Sequence, residues 1–301
     1  MAMESPVFSY AFVEGLDEEL KSELEEIYGI KELDVEDVFT DTQLAKIEQR
    51  PDYLYVALQF PEYEKSKRQF ALKEVHCFLS EKFLMIIDKH HFKHAKQFNN
   101  LRDHLVEDDE ATSFVVFYEM LDFFCTKAYR VLNKFKSEIG QIEADLFDFD
   151  TEEDLLQEIL IIKRNLINFE NIIRPLERVI VDLETKYIKF VNQKGVEFLD
   201  DSLDKIKKIV NNLQNYKEQM NLLTETNESL IARSTNETIK ALTAINLIVL
   251  VPTIITSFFG MNVFFGWDPA APSLHEIIGI TLFVILSTLA IFIYFKRKRW
   301  I

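Results

Sequence analysis

Hydrophobic positions along this chain change their rhythm twice. The runs YLYVALQF (53–60), EVHCFLS (74–80) and KFLMIID (82–88) are short and rich in β-branched and aromatic residues, which predicts strands. Before them, LDEELKSELEEIYG (16–29) spaces its apolar residues as a helix does and stops on Gly29. Residues 1–125 therefore read as a mixed α/β domain. From Ser113 onward the strand pattern disappears. Residues 114–190 look helical, with a break around Phe147–Thr151 and a proline at 175. After Gly195 a helical pattern free of Pro and Gly runs from Val196 to Pro252. Its apolar seam is Leu203, Ile206, Val210, Leu213, Tyr216, Met220, Leu223, Asn227 and Leu230. Steps of three and four kept up this long predict a helix packed along its whole length. At ~1.5 Å per residue, about 60 residues make a stalk of ~90 Å.

The rhythm then gives way to unbroken apolar sequence. ALTAINLIVLVPTIITSFF (241–259) and IIGITLFVILSTLAIFIYF (277–295) contain no charged residue. Either is long enough to cross a hydrocarbon core of ~30 Å. The predicted organisation is an α+β domain over 1–125, a helical stalk over 126–240 and a two-span domain over 241–301. The last includes a loop at 260–276 and a basic tail at 296–301.

Charge orients this arrangement. The chain carries a net −16. After residue 240 only Asp268 and Glu276 oppose Lys296, Arg297, Lys298 and Arg299, a balance of +2 that leaves −18 on the preceding residues. So acidic a body repels nucleic acid and suits cations. A basic cluster directly after a span stays on the cytoplasmic side, and two spans return the chain to the side it left. Both termini are therefore expected in the cytoplasm, with the 260–276 loop outside a cytoplasmic (inner) membrane. Two cysteines, Cys77 and Cys125, make no disulfide framework. The opening residues lack the basic and apolar regions of a secretory signal.

Within the first span, Thr243, Asn246, Leu250, Thr253, Ser257 and Gly260 follow one another at steps of 3, 4, 3, 4 and 3. They share one helix face, which continues back through Ile239 and Asn236. Small and hydroxyl-bearing residues let membrane helices approach closely. Repeated around a symmetry axis, the same face lines a water-filled path. Two spans enclose no path alone, so the second reading requires several copies of the chain.

The span closes on Gly260-Met261-Asn262. This tripeptide, placed at the outer end of the first of two C-terminal spans, resembles the signature of the CorA-type magnesium channels. KRNLINFENIIRPLERV (163–179), STNETIKALT (234–243) and PTIITSFFGMN (252–262) fit the same family, and the resemblance covers essentially the whole chain. It implies a funnel-shaped homopentamer in the lipid membrane whose first spans line the pore. Asn262 would then present a ring of side-chain carbonyls at the outer mouth, with Gly260 and Met261 completing the filter. Asn236, Leu242, Thr253 and Ser257 fall where the family lines its pore, Leu242 near the cytoplasmic entrance. Asp201, with Asp204 one turn on, matches the stalk acids that hold regulatory Mg²⁺ between subunits. The cargo implied is Mg²⁺, although members of the family also carry Zn²⁺, Co²⁺ or Ni²⁺. One departure bears on that choice. Val263-Phe-Phe-Gly-Trp-Asp-Pro269 replaces the Met-Pro-Glu stretch of many members, leaving Asp268 and Glu276 to supply outward negative charge.

Other chemistry is thinly represented. His90, His91 and His94 contain an i, i+4 pair without a further ligand in the pattern. Phosphate-binding glycine loops, nucleophile elbows and cysteine-pair metal motifs are missing from the sequence, so an enzyme is not expected. The nearest rival is a zinc transporter of the same architecture, driven by protons; a membrane-anchored structural protein is the rival from another class.

Overall fold

The strand-like runs pair into one sheet, and its register shows why they are strands. The computed structural model describes residues 3–4, 9–40, 44–89, 112–146, 152–187, 193–261 and 274–300. Strands are β1 (Met3–Glu4), β2 (Ser9–Glu14), β3 (Lys46–Gln49), β4 (Leu54–Glu64), β5 (Gln69–Leu79) and β6 (Phe83–Asp88). The described helices are α1 (Glu18–Glu26), α2 (Glu32–Phe39), α3 (Ser113–Asp145), α4 (Glu152–Thr185), α5 (Gln193–Phe259) and α6 (Leu274–Arg297). The chain divides into two compact units, Met1–Leu223 and Thr224–Ile301, with α5 contributing to both.

In the first unit the strand order is β1-β2-β6-β5-β4-β3, antiparallel except for the parallel β2–β6 pair. The β4–β5 hairpin is its centre, paired from Leu54↔Leu79 to Glu64↔Gln69. Both strands run longer than the apolar pattern predicts, through Pro61, Glu62, Tyr63 and Glu64. Cross-strand pairing outweighs the weak strand preference of those residues. Strands β2 and β3 escape the sequence reading altogether. KIEQ has no alternating apolar face, and it becomes a strand because β4 offers it a partner.

Residues of β4 are buried almost without interruption, so cover comes from both faces. Tyr53, Tyr55 and Ala57 join Leu20 and Leu24 of α1, Val35 and Val38 of α2, and Phe78, Met85 and Ile87 in one core. Asp17 caps α1, its carboxylate accepting from the Leu20 N–H at 2.7 Å. The helix ends at Glu26, and Gly29, with φ 64°, makes the left-handed turn beyond it. Elsewhere on the hairpin, Phe60 meets Phe124 of α3 at 4.2 Å between ring centroids. Phe70 touches Phe135 of α3 at 5.5 Å and Phe169 of α4 at 5.0 Å.

Pro175 lies inside α4 without ending it. The long pattern after Gly195 is one helix, α5, of 67 residues that continues through Pro252 to Phe259. Proline removes one helical hydrogen bond, and in apolar surroundings no competing water is present to unwind the rest. Leu203, Ile206, Leu213, Met220, Leu223 and Asn227 of the expected seam are buried. Val210, Tyr216 and Leu230 are half-buried, and Ile209 takes a core position beside them. Residues 147–151 lie outside the described segments.

Candidate functional site

The second unit contains the apolar part of α5 and all of α6. Both helices are long and apolar enough to cross a membrane, with mean hydropathy 2.1 and 2.6 in their most apolar stretches. Only 6% and 0% of those stretches is buried within the chain. Ile245, Val249, Leu250, Ile254, Leu282, Phe283 and Leu286 are all about half exposed or more. Apolar exposure on every face is untenable in water and ordinary in lipid.

Along α5 the positions of the polar stripe are open. Asn236, Ile239, Thr243, Asn246, Leu250, Thr253, Ser257 and Gly260 are exposed to anything outside their own chain, as is Leu242 beside them. Their hydroxyls do not wait for partners. Thr243 Oγ1 donates to the Ile239 carbonyl at 2.7 Å, and Thr253 Oγ1 to that of Val249 at 2.8 Å. Each hydroxyl thereby satisfies its own donor and keeps its oxygen lone pairs outward. No side chain of the stripe is ionisable, so the face offers hydrogen-bond acceptors without fixed charge.

At its C-terminal end the helix closes tightly. The Gly260 N–H donates to the Thr256 carbonyl at 2.9 Å, and that of Met261 to Phe258 at 3.3 Å. A Cβ on Gly260 would stand 3.2 Å from the Thr256 oxygen, closer than side chains normally come. Met261 is exposed. Asn262 and the loop carrying Asp268 lie outside the described residues, as do His90, His91 and His94.

In the first unit, Asp201 and Asp204 fall on exposed positions of α5. The Asp201 carboxylate is already engaged. Lys205 Nζ lies 2.5 Å from Asp201 Oδ2 and 2.6 Å from Oδ1 of Asp122 on α3. Ser202 Oγ reaches the same Asp122 oxygen at 3.3 Å. Burial works against the Lys205 ammonium, but the bonds to Asp122 and then Asp201 outweigh it and hold its pKa above the ordinary lysine value. Asp204 lies on the same helix, one turn from the triad. Among the described residues no group of three or more His, Cys, Asp or Glu side chains could hold a metal ion. Among those residues, therefore, Asp201 and Asp204 do not make a metal cage.

A family assignment follows from the whole chain. The sequence model described as CorA-like Mg²⁺ transporter protein matches residues 7–297. The chain belongs to this CorA-like family. Its similarity to a cobalt/magnesium transport protein CorA of Thermotoga maritima is 22% identity over 284 residues, 92% of this chain and 78% of that protein. The complete structure of the CorA magnesium transporter from Methanocaldococcus jannaschii superposes with a TM-score of 0.86 at 19% identity, covering 100% of this chain and 94% of that one. The full-length CmaX protein follows at 0.77 and 14% identity, with 98% and 90% covered. At these identities the two structures establish the fold: an α+β domain, a long helix and two C-terminal apolar helices. Membership makes this CorA-like chain a membrane protein of the divalent-cation transporter class.

Two members of this triad, Asp122 and Lys205, are missing from the sequence reading. Lys205 had a legible signal, since it stands four residues after Asp201 on one helix. Asp122 had none, because 83 residues separate it from Lys205. A second polar cluster is also long-range. Asp34, fully buried, accepts from Arg50 Nε at 2.8 Å and from Tyr53 Oη at 2.6 Å. Burial alone would raise the Asp34 pKa, but the Arg50 and Tyr53 bonds prevail and lower it. Burial and the Asp34 bond push Tyr53 up to about 12. These groups tie α2 to the β3–β4 edge and are structural.

Proposed function

We propose that this chain forms a homopentameric channel that carries Mg²⁺ into the cytoplasm down the membrane potential and closes when cytoplasmic Mg²⁺ binds between subunits. The observation that carries the reading is the stripe on α5, exposed within its own chain, uncharged and lined with oxygen acceptors, ending at Gly260-Met261-Asn262. Mg²⁺ releases its waters reluctantly and demands near-octahedral geometry. A path for the hydrated ion therefore needs neutral acceptors that hydrogen-bond to bound water. Thr253, Ser257 and Asn246 supply these along the helix, and Asn262 supplies a ring of amide oxygens at the mouth. Gly260 keeps the chain tight enough to present that amide. Leu242 and Ile239 narrow the path with apolar side chains, and a ring of Leu242 gates by expelling water. The driving force is sufficient, since a doubly charged ion gains ~4.6 kcal/mol per 100 mV on moving inward.

The basic tail Lys296–Arg299 supports cytoplasmic termini. Asp201 and Asp204 then face the cytoplasm on the stalk. Carboxylates brought together across a subunit interface repel one another, and a bound divalent ion removes the repulsion. Oxygens from a neighbouring subunit complete such a site, as the described residues of one chain do not provide a cage.

The test is ion uptake by the purified protein in liposomes under an inside-negative potential, with trapped Mg²⁺- and Zn²⁺-sensitive dyes. Potential-driven Mg²⁺ entry that Asn262→Ala abolishes supports the channel and its filter. Zn²⁺ entry that requires a proton gradient, without Mg²⁺ entry, assigns the protein to the zinc alternative. Silence for both ions in folded protein leaves the spans as anchors.

A further inference from the structure

Lys205 stands where a bridging cation would. Its ammonium contacts Asp201 on its own helix and Asp122 on α3, at 2.5 and 2.6 Å, so one positive charge holds together two carboxylates that would otherwise repel. A divalent ion bound between subunits at Asp201, as proposed above, draws on the same carboxylate. Mg²⁺ draws its oxygens in to ~2.1 Å and competes for the carboxylate charge that Lys205 now neutralises. Lysine and Mg²⁺ together would place three positive charges against two negative ones. The two cations therefore repel each other and compete for Asp201. Access is open, because the Asp201 side chain is 61% exposed and a cavity of about 360 Å³ lies beside Asp122, bordered by Glu119, Phe123, Thr126, Lys127 and Arg130. The competitor cannot leave, since it is covalently held one helical turn from Asp201 and acts at a fixed, high effective concentration.

We infer that Lys205 is a tethered competitor for divalent cations at Asp201, so that Mg²⁺ acts on this stalk only at concentrations that displace the ammonium from the Asp122–Asp201 pair. The inference rests on the regulatory role proposed above for Asp201 and identifies what sets its threshold. It also separates this chain from a simple acidic site. Two carboxylates alone would take Mg²⁺ readily, whereas the same pair bridged by Lys205 is self-neutralised at low Mg²⁺.

The experiment uses the full-length protein with two readouts. One is the cytoplasmic Mg²⁺ concentration that halves potential-driven flux in liposomes. The other is the Mg²⁺ concentration that protects the detergent-solubilised protein from limited proteolysis. Lys205→Met is expected to lower both concentrations about ten-fold, the effect of removing one charge-assisted contact. Lys205→Arg retains the cation and stays near wild type, and adding Asp201→Asn to Lys205→Met cancels the gain. A purely structural ion pair gives a different result, namely lower thermal stability of Lys205→Met without Mg²⁺ and unchanged Mg²⁺ dependence. That result overturns the inference and leaves regulation intact. Wild type and Lys205→Met both indifferent to Mg²⁺ would overturn the inference together with the regulatory reading. Wild type indifferent and Lys205→Met sensitive would overturn the threshold, since Mg²⁺ then never displaces the native ammonium.

Discussion

Asp34 shows how much a single buried carboxylate depends on its neighbours. It is fully buried, and Arg50 and Tyr53 are what keep it charged there. Arg50→Met leaves that charge uncompensated and is expected to cost ~3 kcal/mol, read as a lower denaturant midpoint of the detergent-solubilised protein. The pH dependence has a definite sign. A depressed folded pKa means that Asp34 contributes fully above its ordinary value of 3.8 and that the contribution is lost as pH falls below it. Acid unfolding of wild type should therefore steepen below about that pH, and Asp34→Asn should flatten the curve while lowering its plateau. Gly260 is a second case. The 3.2 Å approach that a Cβ would make to the Thr256 carbonyl predicts that Gly260→Ala shifts the end of the helix. Flux should then fall at least several-fold while thermal stability changes little.

Between elements, the far end of the β4–β5 hairpin is held by one ring and one amide. Phe70 packs against Tyr63 at 5.2 Å as well as against Phe135 and Phe169. Truncation to alanine is expected to cost ~3–5 kcal/mol, seen in the same denaturant midpoint. Asn165 of α4 does the polar part of this work. Its Oδ1 accepts from the Phe70 N–H at 3.3 Å, and its Nδ2 donates to the Arg68 carbonyl at 3.1 Å. Asn165→Leu strands both backbone groups and should cost ~1–3 kcal/mol for each that stays dry. Arg68 itself turns the hairpin with φ 50°, a left-handed conformation that a glycine would adopt more readily. The sequence therefore gives little warning of where β4 ends. The pairing of Glu64 with Gln69 defines it.

For the molecule as a whole, solvent is the deciding variable. Two helices whose apolar stretches are 6% and 0% buried require lipid around them. In the proposed pore an apolar ring would have a correspondingly large effect. Leu242, 55% exposed in its own chain, is expected to hold the resting path dry. Leu242→Ser should raise basal Mg²⁺ flux in liposomes at closing Mg²⁺ concentrations, and a leak no greater than wild type would remove Leu242 from the gate.

Much of this arrangement was legible without coordinates. Strand cores at 53–60, 74–80 and 82–88, the helices from Ser113 onward, both spans and the face running from Asn236 to Gly260 all follow from local periodicity. Periodicity is a property of neighbours along the chain, so one sequence records it completely. What tertiary structure alone decided depends on residues far apart in sequence. KIEQ is a strand because β4 lies beside it, and Asp34 stays charged because Arg50 and Tyr53 arrive from the turn between β3 and β4. Asp201 is bridged to Asp122 by Lys205 because α3 and α5 pack together. Sequence supplies each of these groups with its charge and reach. Which opposite charge it meets is settled only when the chain folds, since folding alone brings distant elements into contact, and for buried Asp34 it also supplies the low dielectric that strengthens the pair.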